Sequence, residues 1–247
     1  MNSCGAVTTI IKREWASYFT SPVAYVFLII FLAMLGFFTF MLGHFFEIGQ
    51  ATLDPFFQWH PWLYLVLVPA VGMGLWAEER RSGSIELLLT LPINPWQALI
   101  GKFVAAWLFL AFALLLTFPM ILTVHFLGDP DGGVILAGYI GSFLLGGTYL
   151  AVSSMTSAMT RNQVVSFITS VVICLLLVLA GFPPVTDLFV QWAPAWLVEG
   201  VASFSVMTHY EALRRGVVSL RDLTYFASVI VFALFCTSVI IRNRRTA

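Results

Sequence analysis

Charge is what this chain most conspicuously lacks. Asp, Glu, Lys and Arg make up 10% of its 247 residues, where soluble domains carry about a quarter, and the mean hydropathy is +0.95. Too few ionised groups are present to cover a water-exposed surface, which excludes an ordinary soluble domain. The 12 basic and 12 acidic residues cancel, so no overall basic field exists to attract nucleic acid, and each charge is informative only through its position. Cysteine is scarce too. Cys4, Cys174 and Cys236 show neither CxxC nor metal-ligand spacing, and the last two fall in apolar runs, which argues against a disulfide framework.

The motifs of the common catalytic chemistries are also missing. The single Gly-Lys pair, Gly101-Lys102, has Trp96 where the first glycine of a phosphate-binding loop belongs and Phe103 in place of its hydroxyl residue, so the chain has no such loop for ATP. No HExxH occurs. His44, His60, His125 and His209 sit near the ends of apolar runs, where they read as interfacial anchors rather than metal ligands. Thr148, Ser153, Ser154 and Ser157 share one apolar run without a histidine at similar depth, which disfavours an intramembrane hydrolase and favours hydrogen bonding between helices. Apart from Lys102, no ionisable side chain lies well inside an apolar run, against a proton relay or an ion-coupled carrier. No catalytic, cofactor or metal site is expected on this chain, and whatever energy it uses comes from a partner.

What is present is length and apolarity. Six apolar runs stand out, 23–43, 61–77, 98–126, 134–159, 164–182 and 223–241, and a helix needs about 20 apolar residues to cross a hydrocarbon core. The expectation is an all-α integral membrane protein, a single domain over 1–247 with six transmembrane helices. The second run is short, and reaches spanning length by recruiting Phe56, Phe57 and Trp59. The first exceeds the roughly 7 to 15 residues of a signal-peptide core and lacks an A-x-A cleavage site, so it is expected to remain. With a cytoplasmic amino terminus, Lys and Arg concentrate inside and only Arg214, Arg215 and Arg221 lie outside, which places both termini in the cytoplasm.

Three further segments carry patterns. In residues 1–21, Val7, Ile11, Trp15 and Tyr18 recur at helical spacing opposite Lys12, Arg13, Glu14 and Ser17, an amphipathic interfacial helix. In the fourth run Gly138, Ser142 and Gly146 recur every four residues, a row that lets another helix approach closely, so Gly146→Leu is expected to destabilise the bundle. Residues 183–222 are too polar to span, and with Trp192 and Trp196 they read as outer interfacial or re-entrant helices.

The most distinctive stretch is residues 78–97, EERRSGSIELLLTLPINPWQ, a charged island between two spans. Ser84 is placed to cap a short helix with Glu86 in its first turn, and Pro92 stops it. Asn94 then caps the third span, with Pro95 at the first position and Gln97 completing a capping box. Two readings fit these residues equally: a rigid cytoplasmic lever on which a soluble protein docks, or a solvated loop whose Leu87, Leu88 and Leu89 fold back on the bundle.

This island, with its acidic-basic cluster, glycine, Glu-Leu-Leu run and proline ahead of Gly101-Lys102, closely resembles the loop after the second span of ABC-2 type permeases, the membrane subunits of ABC exporters. The stretch HYEALRRGVVSLRDLTYF, residues 209–226, is similar to the segment before the last span in permeases of the gliding-motility and nitrous-oxide-reductase maturation type. The resemblance implies a permease dimer, a homodimer, in the inner (plasma) membrane, exporting an unknown substrate on the power of a separate cytoplasmic ATPase that holds the ATP and magnesium. Glu78, Glu79, Arg80, Arg81, Gly83, Glu86, Leu87, Leu88 and Leu89 would form the contact with that ATPase. Reversing Glu78 and Glu79 to Lys is then expected to uncouple hydrolysis from transport without unfolding the bundle. Leu67, Val71 and Leu75 of the second span and Ile168, Val172 and Leu176 of the fifth become candidate pathway lining, suited to amphipathic or lipid-like cargo. An alternative within the same architecture is a subunit that moves nothing and transmits mechanical or assembly work to an envelope complex with a periplasmic auxiliary protein. An intramembrane enzyme is the distant alternative.

Overall fold

A computed structural model describes residues 3–83, 94–190 and 194–243. Among these residues every regular element is helical. In chain order they are α1 (Ser3–Thr20), α2 (Pro22–Phe37, extended by a π turn over Phe38–Leu42), α3 (Asp54–Phe57), α4 (His60–Gly72), α5 (Gly74–Ser82), α6 (Pro95–Leu115), α7 (Phe118–Leu127), α8 (Gly132–Met159), α9 (Gln163–Leu179), α10 (Pro183–Val190), α11 (Ala195–Ser203), α12 (Val206–Arg214) and α13 (Leu220–Asn243). Five segments are long and apolar enough to cross a membrane: Pro22–Leu42, Asp54–Ser82, Pro95–Leu127, Gly132–Met159 and Leu220–Asn243. The fifth apolar run forms the shorter helix Gln163–Leu179.

Local chemistry accounts for most boundaries. Ser21 accepts from the Val23 amide ahead of Pro22, so the chain turns there and α2 starts. The second apolar run does reach back to Phe56 and Phe57, its helical segment beginning at Asp54. Pro69 lies inside α4, and the helix is interrupted at Met73. Asn94 accepts from the Trp96 amide at 3.1 Å and the Asn94 amide donates to Gln97 at 3.1 Å, the capping box read from the sequence. The side chains of Asp131 and Asn162 accept from the first amides of α8 and α9.

The central helix is α8. It packs against α13, α4, α9, α12, α6 and α5, and small residues allow the approach. A Cβ on Gly138 would lie 2.5 Å from the Phe57 ring, one on Gly147 would lie 2.6 Å from the Trp107 indole, and one on Gly146 would lie 3.3 Å from Tyr64. Ser142 faces the Tyr210 hydroxyl at 3.2 Å. Gly146 therefore has room for little more than a methyl group. Gly146→Leu is expected to lower the midpoint of thermal unfolding in detergent, by about 1 to 3 kcal/mol of stability, and an unchanged melting curve would contradict it.

Among the described residues between 183 and the start of α13 lie three short helices, α10, α11 and α12, and the last of them is part of the core. Val206, His209, Tyr210 and Leu213 of α12 are buried, and the Tyr210 hydroxyl donates to the Phe57 carbonyl at 2.8 Å. Polar groups follow it inward because each finds a partner. His209 pairs with Asp222 at 2.6 Å and stacks on Tyr225, and Arg214 lies 3.4 Å from Asp54. His209 and His60 are thus buried side chains rather than interfacial anchors. The stretch 191–193, which includes Trp192, lies outside the described residues.

Candidate functional site

The charged end of α5 is where the polar chemistry of the bundle converges. The α4–α5 interruption leaves backbone groups without partners in their own helix, and serines of α8 supply them. The Ser157 hydroxyl accepts from the amides of Trp76 and Ala77, at 3.0 Å each, and donates to the Met73 carbonyl at 2.7 Å. The Trp76 indole donates to Ser154 at 3.1 Å, and Ser153 donates to the Pro69 carbonyl at 3.4 Å. Ser153, Ser154 and Ser157 tie helix to helix, whereas Thr148 bonds back to Leu144 of its own helix. The start of α5 is thereby capped from a second helix 81 residues along the chain.

From this anchored base the four charges diverge. Arg80 donates to the Ala158 carbonyl at the end of α8, and the Gln163 amide at the start of α9 donates to the Glu78 carboxylate. Glu79 turns inward, where its carboxylate lies 2.8 Å from the Lys102 ammonium of α6. Glu14 of α1 approaches the same ammonium at 3.6 Å and is itself held by Arg13 at 2.7 Å. Lys102 also stands over the Trp76 ring, 5.6 Å from its centre. Its side chain is 8% exposed, against 18% for Glu79 and 19% for Glu14, so the lysine is sequestered between two carboxylates that keep some access to water. Arg81 is exposed, and Gly83 ends the helix with a left-handed φ of 74°. Glu86, Leu87, Leu88 and Leu89 lie outside the described residues.

The amino-terminal helix meets this cluster from the side. The stripe of Val7, Ile11, Trp15 and Tyr18 packs on α6, where a Cβ on Gly101 would come within 2.6 Å of Ile10 and where Tyr18 stacks on Phe109 at 4.8 Å. Burial there, with the Glu14 carboxylate nearby, raises the Tyr18 pKa above the usual phenol range. Glu14 does not sit on the outward face with Lys12 and Arg13, because Lys102 draws it in. This corrects the expectation about reversing Glu78 and Glu79 together: Glu79→Lys would set a second ammonium against Lys102, so the double reversal would disturb the bundle itself. The sequence marked Lys102 as the one ionisable group inside a span; a buried cation needs counter-charges, and that requirement pointed to Glu79 and Glu14.

The two sets of candidate lining residues are placed differently. Leu67, Val71 and Leu75 line a groove of about 600 Å³ between α1, α2 and the α4–α5 segment, with Glu14, Glu78, Glu79 and Lys102 at one end. Ile168, Val172 and Leu176 lie on the exposed face of α9 and are not among the residues lining that groove. Gly138, Ser142 and Gly146 are away from both, within the α8 packing described above.

A helical bundle with five apolar segments of spanning length is a multi-pass membrane protein. Residues 63–242 match the model of the ABC-2 family transporter proteins, and the chain belongs to that family, the membrane components of ABC transporters. No curated protein matches it.

Proposed function

We propose that this chain is the permease subunit of an ABC exporter in the inner membrane, worked by a separate cytoplasmic ATPase. The observation that carries this reading is the binding of one short charged helix end, α5, to three others and, through Lys102, to a fourth. Force applied just after Gly83 reaches α8 through Ser157 and Arg80, α9 through Glu78, and α6 and α1 through Glu79 and Lys102. The island 84–93 would receive that force, with Arg81 and the outer face of Glu78 beside it. Nucleotide binding then has to bias an inward-to-outward equilibrium by about 1 to 3 kcal/mol.

In this reading α9 is the sixth span and both termini are cytoplasmic, as the distribution of Lys and Arg supports. At roughly 1.5 Å per residue α9 is only about 26 Å long, a short span that local thinning of the bilayer accommodates. Its exposed apolar face would turn toward a second copy in a homodimer. The residues 209–226 favour the gliding-motility and maturation subgroup, in which a periplasmic partner is also expected.

The test is purification of the tagged chain from its native membrane in mild detergent. A nucleotide-hydrolysing subunit is expected at equal stoichiometry, and Arg81→Glu is expected to weaken its retention about tenfold, roughly 1.4 kcal/mol, with no change in melting temperature. Recovery of the chain alone from membranes in which the transporter is active would refute the proposal.

A further inference from the structure

We propose that the groove between α1, α2 and α4–α5 binds a single-chain amphiphile with a cationic head, entering from the cytoplasmic leaflet. This deepens the exporter reading and rests on it for sidedness. The walls select the tail: Val26, Phe27 and Ile30 of α2 face Leu67 and Val71 across a space of about 600 Å³, enough for an alkyl chain. The charged end selects the head. Three carboxylates, Glu14, Glu78 and Glu79, line it; Glu14 is paired with Arg13 and Glu79 with Lys102, whereas Glu78 accepts from the neutral amide of Gln163. Lys102 is engaged by Glu79 and Glu14, so Glu78 is the carboxylate that an incoming cation would meet. Tyr18, one helical turn after Glu14 on α1, also lines the groove, and an aromatic face adds attraction for an alkylammonium.

A second copy of the chain is the competing occupant, and charge argues against it. The exposed stripe of α9, with Val164, Val165, Ile168, Val172 and Leu176, brings no cation to a carboxylate-rich pocket.

The experiment places the purified chain in nanodiscs of neutral phosphatidylcholine. The bound fraction of spin-labelled octadecyltrimethylammonium is compared with that of spin-labelled octadecyl sulfate by electron paramagnetic resonance. The ammonium probe is expected to bind about tenfold more tightly than the sulfate. Glu78→Gln should cut that preference severalfold while leaving the tail contacts intact, and Val71→Trp should weaken both probes by filling the groove. Equal binding of the two probes, a preference for the sulfate, or binding untouched by Val71→Trp would overturn the proposal, as would photocrosslinking from position 71 to a second copy in place of the ammonium probe. An ATPase that co-purifies while the ammonium preference is absent removes the site and keeps the exporter reading. The preference without any ATPase does the reverse.

Discussion

Gly138→Ala is expected to destabilise the purified protein, whereas the same substitution at Gly36 is not. Both glycines lie inside helices, where alanine gains up to about 1 kcal/mol in backbone preference. Nothing stands within 4 Å of a Cβ built on Gly36, while one on Gly138 meets three atoms of the Phe57 ring at 2.5 to 2.7 Å. That ring is confined: it is 1% exposed and held edge-on by Tyr139 at 5.2 Å and Phe56 at 5.0 Å. Forcing a methyl group into such a contact costs about 1 to 3 kcal/mol, and a leucine more. In lipid no hydrophobic drive between helices offsets a lost contact, since the tails are as apolar as the side chains. Thermal unfolding in detergent, followed by loss of the monodisperse peak in gel filtration, reads both variants. A Gly138→Ala midpoint at or above that of the parent would show that α8 does not hold Phe57 in this way.

The glycine row was visible in the sequence because it depends only on a four-residue repeat and the absence of side chains. The apolar runs were visible for a similar reason, since spanning length is a local property, and so was the capping box at Asn94. The interruption between α4 and α5 was not. Pro69 announced a weakness, but the groups that relieve it belong to Ser153 and Ser157 on another helix. Such long-range bonds leave no periodicity in either segment. The outer segment shows the same limit. Its alternation of polar and apolar residues ruled out a span, yet α12 is buried, because Asp222 and Asp54 supply partners to His209 and Arg214, and neither carboxylate is close to its partner in a way that spacing reveals.

The charged island was half legible. Composition identified it and resemblance gave it a role, but the four consecutive residues at 78–81 looked equivalent. On a helix successive side chains point about 100° apart, so the four cannot share one environment, and the neighbours decide which face is inside. Glu79 falls toward α6 and Arg81 toward solvent. Register alone separates a structural charge from one free to dock a partner.

Lys102→Met is the substitution that isolates the structural charges, and it is expected to cost about 2 to 4 kcal/mol. Methionine preserves the length and apolar stem of the side chain, so the packing beside Trp76 is nearly kept and the ammonium is what is lost. Glu79 and Glu14 then lose the ammonium they share, while Glu14 keeps Arg13. Their partial exposure, 18% and 19%, lets water relieve part of the penalty, which keeps the expected loss below that for a fully sequestered pair. Because the lysine itself is 8% exposed, the effect should persist at high ionic strength, where a surface pair would be screened. The double variant Lys102→Met with Glu79→Gln removes the opposing carboxylate charge as well and should recover most of the stability, giving a coupling energy above about 1 kcal/mol in a double-mutant cycle read by denaturant titration in detergent. Additive losses would mean that each charge is solvated separately. Coupling, by contrast, would mean that α1, α5 and α6 are joined through one buried ammonium, so that a displacement of the helix preceding the island is felt at the amino terminus through a contact that neither helix makes with the other directly.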